Sequence, residues 1–500
     1  MSVVAGIDSS TQSCTVVLYD VDTRTMLAHA SAGHPPTYPP VSEQDPVVWQ
    51  QAIRAALDKA CSLAHIPPAA IVAVSVAAQH HGLVALDGRH EVIRPAKLWN
   101  DTSSAPQAAR LVARTGRDFW VERTGSVPTA AFTISKLLWL AELEPDNFRR
   151  LELALLPHDW LTKQLCGRAV SDRGDSSGTG YFDARTNAWC LDVLALVDPD
   201  REWVGRLPVV LGPEGIAGHA DTSWSRTLGL APGTLVAVGT GDQTAAAVGL
   251  GLGPGDLMVS LGTSGVVTGL SPVPVTHPDG LINCIASATG TFQPSTVTLN
   301  ASKVTDAFAG WLGTDHEELS RLALSADVHG AHRPLLAPFF DGERTPDRPH
   351  ARGLLADLSS ATTRADLALS AYEGVGLGLL YGFRALVDCG LDTRARLLVT
   401  GGASRSPAYR QVLASLFLRP VFAAMIDGSL TSARGAALQA TATFLGMRVD
   451  TIASSWAPDS EVVAEPRPGD GEVTEALVER YDAVSKVSQL DHDPNAMTPR

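Results

Sequence analysis

The chain has 500 residues, of which 45% are hydrophobic and 18% charged, with a formal net charge of −14. That length predicts two or three domains, and that composition a packed globular protein. The acidic balance excludes the basic face that nucleic acid demands and disfavours an anionic membrane surface. The six cysteines (14, 61, 166, 190, 284 and 389) have neither C-x-x-C nor metal-finger spacing, and read as reduced thiols of a cytoplasmic protein. No basic stretch precedes an apolar core at the amino terminus, so no signal peptide is predicted. Residues 257–276 carry no charge, but their Gly, Ser, Thr and Pro content makes a poor membrane span.

Val3 to Ile7 reads as a strand ending at Asp8, and a polar turn, Ser9 to Ser13, leads into a second strand, Cys14 to Tyr19. The pattern recurs at Val259 to Gly265. Asp8 falls opposite Ser260 and Thr11 opposite Thr263, an offset of 260 − 8 = 252, about half the chain. Two halves that each carry a hairpin with a hydroxyl-rich tip predict an internal duplication. A helix is expected from Val47 to about Ala64. The strand Ile71 to Ala77 follows and ends at Gln79-His80-His81-Gly82. Adjacent histidines do not share a helical face as metal ligands do. Neutral donors and acceptors on a loop suit sugar hydroxyls instead, with an ordinary surface pair as the alternative. Leu98-Trp99-Asn100-Asp101 closes another short strand.

Residues 104–165 read as helix-rich. Ser171 to Asp183 reads as a polar, turn-rich loop. Within it Gly174-Asp175-Ser176-Ser177-Gly178 matches G-x-S-x-G, but polar flanks replace the strand and helix that a nucleophile elbow needs.

The most informative stretch is Leu235 to Gly265. A buried strand, Leu235 to Val238, runs into Gly239-Thr240-Gly241-Asp242-Gln243 and then a helix. Asp242 therefore lies at a strand-to-helix junction, where α/β proteins collect ligands. A second strand, Asp256 to Ser260, leads to Leu261-Gly262-Thr263-Ser264-Gly265, whose backbone N–H groups and hydroxyls form an anion cradle. A carboxylate and a phosphate cradle about 20 residues apart are the equipment of phosphoryl transfer, with a plain βα turn and hairpin as the alternative reading.

Further on, 365–388 reads as a long apolar helix whose Gly374, Gly376 and Gly378 suit close helix packing. Leu397 to Thr400 reads as a strand entering the turn Gly401-Gly402-Ala403-Ser404, open enough for a flat ring such as adenosine, with a plain strand-to-helix turn as the alternative reading. Alanine-rich helix follows at 431–444, a final helix at 472–486, and disordered residues from about 491. None of the six lysines follows a glycine, so no P-loop exists, and no kinase-type Gly-rich loop is found.

The chain resembles the FGGY family of carbohydrate kinases over nearly its whole length. The resemblance rests on GIDSSTQS (6–13), SEQDP (42–46), QHHG (79–82), LWND (98–101), FTISKLLW (132–139), SDRGDSSGT (171–179), GTGDQTAAAVG (239–249), SLGTSG (260–265), DGERTP (341–346) and TGGASRS (400–406), in that order and spacing. It implies an α/β actin-like ATPase fold, with two duplicated ribonuclease-H-like domains around a cleft. The expected division is 1–243 as the sugar-binding side, 244–475 as the ATP-binding side, and 476–500 as a carboxyl-terminal helix and disordered tail.

The implied activity is ATP-dependent phosphorylation of D-xylulose to its 5-phosphate. Another ketose, a polyol or a sugar acid is the alternative, and an actin-like non-metabolic ATPase a remoter one. By resemblance Asp242 is the catalytic base, and Asp8 the carboxylate near Mg²⁺ and the phosphates. Gln79, His80, His81, Trp99 and Asp242 contact the sugar. Ser10, Thr11, Gln12, Gly262, Thr263, Ser264, Gly401, Gly402 and Ser404 contact ATP. A homodimer is allowed. Two departures from the family pattern, Ser10 in place of glycine and Thr15 in place of lysine, bear on phosphate contact in the first hairpin.

Overall fold

A computed structural model of the chain describes residues 1–330 and 333–490. The tail expected to be disordered lies outside the described residues. The chain forms two compact units. One comprises 1–253, 272–293 and 429–458, and the other 254–271, 294–428 and the residues from 459 onward. The units are discontinuous in sequence.

The first unit is built on a mixed sheet of β1 (Val3–Ser9), β2 (Ser13–Asp20), β3 (Thr25–Gly33), β4 (Ile71–Ala78), β5 (Ile216–His219) and β6 (Leu235–Ala237), in the order β5-β6-β4-β1-β2-β3. Every residue of β1 is buried, so the strand carries apolar side chains to both faces. On one face Val3, Ala5 and Ile7 meet Trp49, Ile53, Ala56 and Leu57 of the helix Pro46–Ala64. That helix starts where the Asp45 side chain accepts from the Val47 N–H with proline at the first position, and it stops at His65 in the left-handed region. On the other face Val4, Val17 and Ala73 meet Ala433, Ala437 and Ala440 of the helix Thr431–Leu445. This alanine-lined contact draws 429–458 back to the first unit.

The register fixes the site. Ala77 of β4 pairs in parallel with Asp8 on one side and with Thr240 on the other. Asp8, the Gln79-His80-His81 turn and Asp242 therefore gather at the carboxyl edge of one sheet, where backbone ends leave room for ligands.

The second unit carries β7 (Leu257–Leu261), β8 (Gly265–Gly269), β9 (Phe292–Thr298), β10 (Leu397–Thr400), β11 (Val421–Ala424) and β12 (Ser460–Ala464), in the order β9-β8-β7-β10-β11-β12. Its hairpin repeats the first one. β1 pairs antiparallel with β2 and parallel with β4, while β7 pairs antiparallel with β8 and parallel with β10. Both hairpins turn through three residues, 10–12 and 262–264, separated by the same offset of 252. The helix Arg364–Asp388 begins with a capping box in which Thr363 and Asp366 satisfy each other's backbone N–H. A side chain at Gly374 would lie 2.6 Å from the Leu336 carbonyl, so this glycine serves close packing.

Candidate active site

Asp8 and Asp242 are the two carboxylates of the sheet edge. Asp8 is buried. Its Oδ2 accepts from Ser10 Oγ at 2.8 Å, and its Oδ1 has no hydrogen-bond partner. Burial, reinforced by the charge of Asp242 and opposed by Ser10, pushes its pKa up to about 8. The serine that replaces the family's usual glycine is thus a hydrogen-bond donor to this carboxylate. Thr15, the other departure, pairs its hydroxyl with Ser31 at 2.9 Å. Asp242 opens the helix Asp242–Gly249, and its side chain is 27% exposed. Burial raises its pKa and the facing His80 opposes that rise.

The two adjacent histidines occupy different environments. His80 is buried, with Nδ1 2.8 Å from Asp175 Oδ1 and Nε2 3.6 Å from Asp242 Oδ1. Its ring fits only because residue 241 is glycine: a Cβ there would lie 1.9 Å from His80 Cε1. His81 stands at φ +67° and stacks on Phe132 with ring centres 4.9 Å apart. Its Nδ1 donates to the Gly178 carbonyl at 2.6 Å, which leaves Nε2 as the acceptor. Burial, with His80 and Lys136 adding positive charge, lowers its pKa to about 3, so the ring is neutral. Gln79 is fully buried and neither atom of its amide has a partner. An unsatisfied buried amide is expensive and marks a place where a ligand's hydroxyls would be welcome.

Behind this edge lies a polar network that sequence reading missed. Asp175 accepts from two imidazoles, His80 through Oδ1 at 2.8 Å and His158 through Oδ2 at 2.7 Å. His158 Nε2 lies 3.2 Å from Asp159 and 3.6 Å from Asp172. Burial alone would lower both imidazoles. Asp175, with Asp242 and Asp172, lifts His80 to about 9, and Asp159, Asp175 and Asp172 lift His158 to about 9. Burial would raise Asp175, but the two imidazolium partners hold it well below the usual carboxylate range.

The stretch expected as a polar loop, 171–183, is instead buried. It holds the strand Val170–Asp172 and the short helix Arg173–Ser177, whose cap is the Asp172 side chain, accepting from the N–H groups of Gly174 and Asp175. Asp172 also accepts from Thr240 at 2.7 Å, which ties the network to the turn before Asp242. Ser176 is buried and bonded to Ser171 at 2.9 Å, so the G-x-S-x-G match presents no exposed nucleophile. The available signal was the crowding of charged residues in His158-Asp159 and Asp172-Arg173-Gly174-Asp175.

The first hairpin tip touches the sugar candidates. Trp99, 44% exposed, donates from Nε1 to Thr11 Oγ1 at 2.8 Å. Gln44 Nε2 holds the Thr11 carbonyl at 3.2 Å, and the His34 N–H holds the carbonyl of the exposed Gln12 at 2.8 Å.

In the second unit the hairpin Gly262-Thr263-Ser264 leaves Thr263 exposed, but the Gly262 N–H is engaged, donating to the Ser264 carbonyl at 3.1 Å. Gly401 stands at φ +88° against Leu261, which brings the two glycine turns together. Ser404 Oγ donates to the Gly401 carbonyl at 2.7 Å and so braces the turn, while Gly402 faces open space. Among the described residues no group of three metal-ligating side chains forms a cation site, and no helix is long and apolar enough to cross a membrane.

Comparison with known proteins is decisive for the family. Residues 3–249 match the amino-terminal domain, and 257–444 the carboxyl-terminal domain, of the FGGY family of carbohydrate kinases. The chain belongs to that family. Two FGGY relatives are both xylulose kinases. That of Streptomyces rubiginosus is 40% identical over 475 residues, 95% of each chain. That of Escherichia coli K12 is 32% identical over 417 residues, 82% of this chain and 84% of the other. The crystal structure of xylulose kinase from Bifidobacterium adolescentis superposes with a TM-score of 0.82 at 32% identity, covering 95% of this chain and 99% of that one. The fold is the actin-like ATPase fold of the FGGY kinases, and the protein is an ATP-dependent carbohydrate kinase.

Proposed function

We propose that the protein phosphorylates D-xylulose at its terminal hydroxyl with ATP, giving D-xylulose 5-phosphate and ADP. The observation that carries this reading is the sheet edge itself. A partly exposed carboxylate, Asp242, sits beside a neutral imidazole acceptor, His81, and a buried amide without partners, Gln79. The choice of ketose is supported by the 40% identity, over 95% of the chain, to a xylulose kinase.

In this reading the sugar hydroxyl gives its proton to the Asp242 carboxylate as its oxygen attacks the γ-phosphorus, and ADP leaves. His81 Nε2, Gln79 and the Trp99 face orient the sugar. The polar edge of the first unit, 1–243 in the linear division, is the sugar side. Ser10, Thr11 and Gln12 in the first hairpin, and Gly262, Thr263 and Ser264 in the second, hold phosphates. The turn from Gly401 through Gly402 to Ser404 receives the adenosine, on the ATP side.

Mg²⁺ fits Asp8. Its Oδ1 is buried without a hydrogen-bond partner and its acidity is suppressed by burial and by the charge of Asp242, a penalty that a cation at Asp8 would relieve. Mg²⁺ needs only one or two carboxylates besides water and phosphate oxygens, so the missing three-ligand cluster is no obstacle. When bound, the ion would neutralise charge on the transferring phosphate. The six cysteines are all free thiols, which suits a cytoplasmic enzyme.

The test is a panel of ketoses, polyols and sugar acids in a coupled assay of ADP release. D-xylulose should give the highest kcat/KM, and ADP release should require added sugar. A different preferred acceptor, or turnover without sugar, would overturn the reading.

A further inference from the structure

The His80 ring is held by more structure than a sugar ligand needs. It is buried, its Nδ1 is bonded at 2.8 Å to Asp175, and Asp175 is in turn bonded at 2.7 Å to His158. A carboxylate can only accept, so both Nδ1 atoms carry protons, and the surrounding carboxylates favour the His80 imidazolium, whose Nε2 carries a proton as well. His80 Nε2 is buried, lacks a hydrogen-bond partner, and lies 3.6 Å from Asp242 Oδ1. That separation is too long for a hydrogen bond and short enough for a small movement of Asp242 to make one. Gly241 is the space that lets the ring reach this position, since a Cβ there would overlap it at 1.9 Å.

We infer that His80 is a positioning residue for Asp242: anchored through Asp175 and His158, it holds Oδ1 of the carboxylate and leaves Oδ2 to receive the proton of the sugar hydroxyl. The inference rests on the reading of Asp242 as the general base. It assigns His80 to the base rather than to the sugar and recruits Asp175 and His158, which lie one and two steps further from the sheet edge. The charged groups facing His80 are Asp175, Asp172 and Asp242, and those acting on Asp242 are His80, Asp175 and, at the same sheet edge, Asp8. His80 is the cation of this set, and it opposes the rise that burial imposes on the Asp242 carboxyl.

The experiment uses the full chain and the best acceptor found in the sugar panel. His80→Met should lower kcat about tenfold or more, part of the roughly 10²–10⁴-fold that a general base is worth, while the KM of the sugar moves less than about threefold. In the Asp242→Asn background, His80→Met should cause no further loss of residual kcat, because residues acting as a unit are not additive. Calorimetric affinity of Asp242→Asn for the sugar should be the same with and without His80→Met. Asp175→Asn, which leaves the imidazole in place, is the second variant and should lower kcat with the same unchanged KM.

A sugar affinity that falls with His80→Met in both backgrounds would show that His80 touches the sugar, and would overturn the inference. So would a kcat loss that is the same with and without Asp242, or an Asp175→Asn enzyme of normal kcat. Should the Asp242→Asn enzyme itself retain wild-type kcat, the fault would lie with the general base rather than with the positioning of it.

Discussion

Trp99 Nε1 donates to Thr11 Oγ1 at 2.8 Å, so the tip of the first hairpin is tied to the second residue after the 96–97 strand. By resemblance the two residues belong to different substrates, Thr11 to ATP and Trp99 to the sugar. Their bond means that neither can be perturbed alone. Trp99→Phe keeps an aromatic face and removes the donor, which costs about 0.5–1.5 kcal/mol where the bond is intact. The expected outcome is a rise of the apparent constants for both substrates, non-additive with Thr11→Val in a double-mutant cycle. Additive effects would mean that the bond is absent in solution.

The parts of the site readable in sequence were those with a local cause. A β-branched run that stops at a Gly-Thr-Gly-Asp turn places Asp242 at a strand end whatever surrounds it. The recurrence of hydroxyls 252 residues apart marks both three-residue hairpins. For Asp175 the local signal, a crowding of charged residues, did not point to burial. Ser171-Asp172-Arg173-Gly174-Asp175 is polar enough to read as solvated loop, and it is buried only because its groups satisfy one another and two distant histidines. Burial of that kind is a tertiary property. The helix Thr431–Leu445 was legible as a helix, but its place in the first unit depends on alanines meeting Val4 and Val17 more than 400 residues away.

His81 offers a separable test of the sugar side. His81→Asn tolerates the positive φ and keeps an amide where Nδ1 donates to Gly178, but it removes Nε2. Loss of one hydrogen bond to a substrate hydroxyl, about 0.5–1.5 kcal/mol, should raise the sugar KM several-fold with the ATP KM little changed. Because its pKa is lowered to about 3, the His81 ring should add no protonation step to sugar binding between about pH 5 and 8. A sugar constant untouched by the substitution would remove His81 from the sugar site.

The imidazole network makes stability depend on alkaline pH. His80 and His158 are each raised to about 9, above the ordinary value of 6.5, so the folded chain holds protons that the unfolded chain has released. Their stabilisation is complete below about pH 6.5 and is lost as pH rises through about 9. Asp8 and Asp159, raised to about 8 and about 7, add losses of the same sign at lower pH. The melting temperature should therefore fall from pH 6.5 to 9.5. The fall should be smaller for Asp175→Asn, which removes the carboxylate shared by both imidazoles. An equal fall in both proteins would mean that the two histidines are neutral at pH 6.5.

The most direct measurement of the central claim is the turnover of Asp242→Asn, which keeps the shape of the side chain and removes its basic lone pair. The account predicts a kcat at least about a hundredfold below wild type, with ATP affinity by calorimetry largely retained. Turnover within about tenfold of wild type is less than a general base is worth and would contradict it.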